Sequence, residues 1–192
     1  MTGLRERRHA ETKEAIVEAA FALFGTHGFA ATAMDHIAEH AGISRSTLYR
    51  RFSTKEEIVL EVPRTWLDAW DATIDALEPE ASLLEAMTAG CFAVADTIDA
   101  SPGRVLAAYA ALAESPTLQL SGAASGFWLE RIADLVELRA NGADSYDAAL
   151  VAGASMGAID VMMSTWASTG GKTLVRDETE RVVERLTPLF EF

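Results

Sequence analysis

Cysteine occurs once in these 192 residues, at Cys91, so no intrachain disulfide can form. That suits a reducing compartment, and a lone cysteine reads as a small buried apolar residue. The charged opening MTGLRERRHAETKEA is followed by no apolar stretch, which excludes a secretory signal of the usual build. A cytoplasmic protein is expected. Alternation of period two is missing over any useful length, so a sheet is not expected. Repeats and low-complexity tracts are missing as well. Histidine stops early, at His9, His27, His36 and His40. From Ala148 to Trp166 Asp160 is the only charge.

What is present is an ordinary soluble composition, 49% hydrophobic and 23% charged. The length allows one large domain or two small ones. The net charge of -13 speaks against nucleic acid until it is divided. Residues 1–55 hold eight Lys/Arg and six Asp/Glu, and the remainder holds eight against 23. A mildly basic head thus precedes a strongly acidic body. Phosphates attract the first and repel the second.

Helical spacing recurs throughout and predicts an all-α fold. Ile16, Ala20, Leu23 and Phe24 share one face of a helix over about 11–27, with Gly28 as its stop. Thr32 to Asp35 resembles a capping box opening a second helix, which runs to Ala41. Gly42 turns the chain, and Ser44 caps a third helix through Phe52. Ser53 and Thr54 cap a fourth, which Pro63 should kink or break. Further helices are expected at about 64–77, 82–99, 102–114, 121–140, 145–169 and 174–190, separated by Pro79, Pro102, Pro116, Asn141-Gly142 and Gly170-Gly171. A helix-turn-helix DNA-binding domain is assigned to 1–55, and an effector-binding and dimerisation domain to 56–192.

The informative stretch is TAMDHIAEHAGISRSTLYRRFSTKEE, residues 32–57. Ile37, Ala38, Ala41, Ile43 and Leu48 have the spacing that packs two short helices across each other, the parts of a helix-turn-helix. Leu48 and Phe52 face the core. Arg45, Ser46, Thr47, Tyr49, Arg50 and Arg51 are left outside. Arginine pairs bidentately with guanine, and serine or threonine reaches base edges. Tyrosine and lysine hold phosphates. Lys55, with the free N–H groups opening the fourth helix, forms a second phosphate anchor, and Thr32 offers another.

These residues resemble the TetR (tetracycline-repressor) family of bacterial regulators. The matching positions are the Phe-Gly-Thr-His-Gly-Phe run at 24–29, Thr32, Ile37-Ala38, Ala41-Gly42-Ile43-Ser44, Thr47-Leu48-Tyr49, Phe52 and Lys55-Glu56, within roughly residues 10–60. The resemblance implies a three-helix DNA-binding head and a helical ligand-binding body. It implies a dimer built from the last long helices, and a ligand that weakens operator binding. It places Tyr49 and Lys55 at phosphate contacts, and Arg45, Ser46, Thr47 and Arg50 at base or phosphate contacts. Arg50-Arg51 departs from the aromatic or histidine residues common there, and the roles of the two arginines stay undivided. The implied partners are a near-palindromic double-stranded operator, a small largely apolar effector and a second copy of the chain; no cofactor is implied.

The stretch 145–169 is apolar or small on all sides, so it should be buried on all sides, most simply by a two-fold partner. Gly153 and Gly157 permit close approach there. Trp128, Ile132, Leu135 and Val136 mark an apolar face on the preceding helix that can join the same interface. Two other readings of this stretch fail on requirement. A membrane span is opposed by the central Asp160 and the frequent Ser and Gly. Gly153-Ala-Ser155-Met-Gly157 matches the nucleophile elbow of a serine hydrolase, but no strand precedes Ser155 and no histidine follows it. His36 and His40 have metal-ligand spacing without a third ligand, so solvated histidines and no metal site are expected. An effector pocket draws on Trp66, Trp70, Met87, Phe92 and Tyr109, and on Phe127, Met156, Met163 and Trp166. For each of these taken singly, ordinary core packing is the commoner role of an apolar residue at helical spacing. Asp160 fits a ligand contact, a structural hydrogen bond or a dimer contact.

Overall fold

A computed structural model describes residues 2–121, 123–140 and 142–189. Among them there is no strand. Eleven α-helices follow in order: α1 (Thr2–His27), α2 (Met34–His40), α3 (Arg45–Tyr49), α4 (Lys55–Val59), α5 (Glu61–Ala76), α6 (Leu83–Asp99), α7 (Pro102–Glu114), α8 (Pro116–Ser121), α9 (Ala123–Arg139), α10 (Ser145–Ser168) and α11 (Val175–Leu186), before a 3-10 turn at Thr187–Leu189. Asn141 and Phe190, placed above at a turn and at the last helix end, lie outside the described residues.

Three element boundaries differ from expectation, each for a local reason. Helix α1 starts well before residue 11, because residues 7–11 are good helix formers that stand exposed and carry no apolar stripe. The break near Pro63 falls at Leu60, and Pro63 sits in the first turn of α5. A proline clashes with the carbonyl four residues back, so the helix must restart within three residues before it. Pro116 opens the short α8 rather than separating two helices, as proline suits a first turn.

The chain divides into two compact units. One is Met1–Val62 with Gly103–Ser121, and the other is Pro63–Pro102 with Gly122–Phe192. The first unit therefore takes in a second, distant segment beyond the continuous head of residues 1–55. Its core holds Ile16, Phe21, Phe24, Phe29, Ile37, Leu48, Phe52, Ile58 and Val105, all buried. Phe24 lies at 5.4 Å from Phe21 and 5.1 Å from Phe29, ring to ring.

The second unit packs α5, α6, α9 and α10 around one apolar cluster. Trp70 and Trp128 meet edge to face at 5.6 Å. Trp70 lies so close to Gly90 that a β-carbon there would stand 2.5 Å from its ring. Reciprocal caps start the helices of this core. Ser82 and Glu85 open α6, and Asp144 and Asp147 open α10. Asp99 accepts the backbone N–H groups of Val175 and Arg176 and so holds the start of α11.

Candidate nucleic-acid interface

The interface is built on a two-helix corner. Helix α2 buries Ile37 and Ala38, and α3 buries Leu48. Gly42 joins them at φ +66, a conformation costly for a residue with a β-carbon. The Ile43 N–H then donates to the Ala38 carbonyl at 3.0 Å and closes the turn. Ser44 caps α3, its Oγ accepting the Thr47 N–H at 3.2 Å. With Leu48 and Phe52 fully inside, the rest of α3 must face out.

The outward set is Arg45, Ser46, Tyr49 and Arg50, all exposed. Tyr49 keeps half of its surface free. Arg45 pairs with Asp35 at 2.8 Å across the corner. Both partners are well exposed, so the pair is worth roughly 0.2–1 kcal/mol and a phosphate or guanine can displace it. Ser46 and Thr47 lie with their hydroxyls 3.0 and 2.9 Å from the capping Ser44 Oγ, and Thr47 is half-buried. The two arginines now separate. Arg50 is exposed, whereas Arg51 is half-buried with its Nε shielded and without a hydrogen-bond partner.

Two expected anchors are turned inward. Thr32 is buried, and its hydroxyl donates to the Gly28 carbonyl at 2.8 Å. It neither caps α2, whose N-cap is Ala33 without a side-chain bond, nor reaches the surface. Lys55 donates to the carbonyls of Phe29 at 2.6 Å, Ala30 at 3.3 Å and Thr32 at 3.1 Å. The amide of Glu57 at the start of α4 is taken by Thr54, and the Glu57 carboxylate accepts the Ser53 N–H at 2.6 Å. Backbone donors expected there for phosphate are thus partly consumed by the protein itself. Sequence reasoning also missed Glu114, which accepts the Ala30 N–H at 2.8 Å from α7. Only folding brings residues 84 apart together.

In the second unit the expected interface and the expected pocket merge. Trp128, Ile132, Leu135 and Val136 are buried in one cluster with Trp70 and Met87, against which Trp66 and Met156 pack. These four residues of α9 are therefore core and not an exposed interface, because α9 turns this face toward α5, α6 and α10. Met163 and Trp166 are buried too, and the Trp166 Nε1 donates to the Thr173 carbonyl at 2.8 Å. Phe92 lies half-buried beneath the Arg176 guanidinium, 4.5 Å away. Phe127 is 59% exposed, and Tyr109 belongs to the first unit, so neither joins that cluster.

Helix α10 is long and apolar enough to cross a membrane by length and composition. Within one chain it is buried on one side only. Ala148, Val151, Ala152, Ser155, Met163 and Trp166 point in. Tyr146, Leu150, Gly153, Gly157 and Val161 are exposed at three- and four-residue spacings, along one face of the helix. A β-carbon at either glycine would meet nothing within 4 Å. Asp160 is exposed on this side, and partial burial holds its carboxyl above the usual aspartate range.

Ser155 is fully buried in mid-helix with an unpartnered hydroxyl. No residue other than glycine has positive φ among those described, so the strained turn of a nucleophile elbow is not formed there. His36 and His40 are both exposed. No group of three or more His, Cys, Asp or Glu among the described residues could hold a metal.

Comparison with known proteins agrees with this layout. Residues 16–62 match the family described as bacterial regulatory proteins, tetR family. The chain is 37% identical over 86 residues to the HTH-type transcriptional regulator RutR of Escherichia coli K12, covering 45% of this chain and 41% of RutR. It thus spans about two fifths of that relative. It is 30% identical over 137 residues to the transcriptional regulator MftR of Mycobacterium tuberculosis, covering 71% of this chain and 69% of MftR. In fold it is similar to the transcriptional regulator FadR of Bacillus subtilis, solved in complex with stearoyl-CoA. There the TM-score is 0.70 at 17% identity, over 90% of this chain and 96% of that one.

Proposed function

This chain belongs to the TetR family of bacterial regulatory proteins, and from that premise we propose that it is a homodimeric transcriptional repressor, released from its operator by a small, largely apolar effector. The observation that carries the reading is the outward face of α3, where Arg45, Ser46, Tyr49 and Arg50 stand exposed above the buried Leu48 and Phe52. A helix so anchored enters a major groove with its donors forward. Arg45 and Ser46 read base edges, and Tyr49 and Arg50 hold phosphates. Such a protein works in the cytoplasm and needs no catalytic step.

Fluorescence anisotropy tests the reading, with DNA flanking the protein's own gene against scrambled DNA at two salt concentrations. Tight, salt-sensitive preference for the flanking duplex is expected, weakened at least tenfold by Tyr49→Ala. No preference there, followed by no enrichment from a random duplex library, would sink the DNA-binding reading.

The homodimer is supported by α10, whose exposed side from Leu150 to Val161 is apolar or small apart from Asp160. Covering it with a second copy also explains the small residues at 153 and 157. Asp160 then loses more water on association, which pushes its carboxyl further up. Protonation favours the dimer, so the dimer should tighten as pH falls through the Asp160 titration. Sedimentation across that range checks this, and a pH response that survives in Asp160→Asn would remove Asp160 as its source.

An apolar effector is supported by the large half-buried side chains Trp66 and Met156 at the margin of the second unit's core. FadR of Bacillus subtilis was solved with stearoyl-CoA, and acyl-CoA thioesters are the first effector class to test. Displacement of labelled operator should strengthen with acyl length. The effector must bind the released arrangement more tightly than the operator-bound one.

A further inference from the structure

We propose that Lys55 is a positioning residue: its ammonium pins the turn between α1 and α2, and so sets the recognition helix, without touching DNA phosphate. The inference rests on the DNA-binding reading above. An ammonium carries three donors and no acceptor. Here three carbonyls, of Phe29, Ala30 and Thr32, lie within 3.3 Å of Nζ and use all three. The Phe29 ring sits beneath the charge at 4.3 Å. Reaching a phosphate would surrender all four contacts for one.

The turn is held from its other side as well. The Ala30 N–H donates to the Glu114 carboxylate at 2.8 Å. The Thr32 hydroxyl bonds the Gly28 carbonyl across the same five residues. A segment with no helical ladder of its own therefore has its carbonyls on a cation and one amide on an anion. Helix α2 begins two residues beyond Thr32, and α3 packs on α2 through the Gly42 corner. Displacing the turn displaces both. The site also selects lysine over arginine. Three carbonyls converge on a single nitrogen, and a planar guanidinium cannot aim its fork at them from one point.

The test uses the whole chain, with Lys55→Met and Lys55→Arg. Hydrogen exchange over residues 28–34 is measured without DNA. Anisotropy then follows a duplex that the wild type selects from a random library, over a series of salt concentrations. Both variants should raise exchange in the turn at least tenfold. Both should weaken DNA binding about tenfold at every salt, leaving the slope of log Kd against log salt at its wild-type value. A phosphate contact predicts the reverse: arginine keeps affinity, methionine lowers the slope by about 0.9 for each lysine, and turn exchange stays unchanged. That result overturns the proposal. Should Lys55→Met not fold, Lys55→Arg carries the comparison alone. If the wild type selects no duplex, the regulator reading falls and exchange decides the clasp: faster turn exchange upholds it and unchanged exchange overturns it.

Discussion

Gly157→Glu should convert the protein to a monomer and weaken operator binding at least 100-fold, while leaving the fold of each chain intact. The expectation rests on an asymmetry at this position. Within one chain, a β-carbon at Gly157 meets nothing within 4 Å. Replacing a mid-helix glycine also favours the helix, by about 0.5–1 kcal/mol. The isolated chain therefore has no reason to suffer. In the proposed dimer the same site is where two backbones approach, and a carboxylate there is buried opposite its own copy. Unpaired buried charge is costly. Joined heads bind a two-part operator with an effective local concentration in the millimolar range, and that advantage vanishes in the monomer. Light scattering with size exclusion, together with anisotropy, reads both effects. A Gly157→Glu protein that remains dimeric at micromolar concentration would show that α10 is not the interface.

Trp128→Ala should cost roughly 3–5 kcal/mol of stability, as expected for deleting a large buried aromatic. At roughly 2–4 °C per kcal/mol for a chain of this size, melting should fall by about 6–20 °C. Trp128 is only 8% exposed and stacks edge to face on Trp70. Gly90→Ala strains the same core through Trp70. Its added carbon would stand 2.5 Å from the ring of Trp70, which is 3% exposed and already in contact with Trp128, so the ring has little room to retreat. About 1–3 kcal/mol is expected. The two variants separate core from interface. A Trp128→Ala protein that melts like the wild type but associates more weakly would return Trp128 to the dimer face.

These two predictions mark where residue pattern is informative and where it is not. Ser44, Gly42, Leu48 and Phe52 were legible because capping, a positive φ and a buried i, i+4 pair are decided within a few residues. The apolar faces of α9 and α10 were legible as apolar. Which neighbour covers each face was not, because hydrophobicity is non-directional and a buried stripe looks the same against its own chain or another. Hence Trp128, Ile132, Leu135 and Val136 read as interface and pack as core.

Local spacing along the chain, by itself, determined the all-α class, the two-helix corner and the outward chemistry of α3. The tertiary structure alone decided where the polar side chains spend their hydrogen bonds. Thr32 and Lys55 have the residue types of surface anchors, yet they are turned to the carbonyls of the α1–α2 turn. Glu114 reaches that turn from 84 residues away. A donor's partner is set by what folding places within about 3 Å of it, and one-dimensional spacing carries no record of that distance.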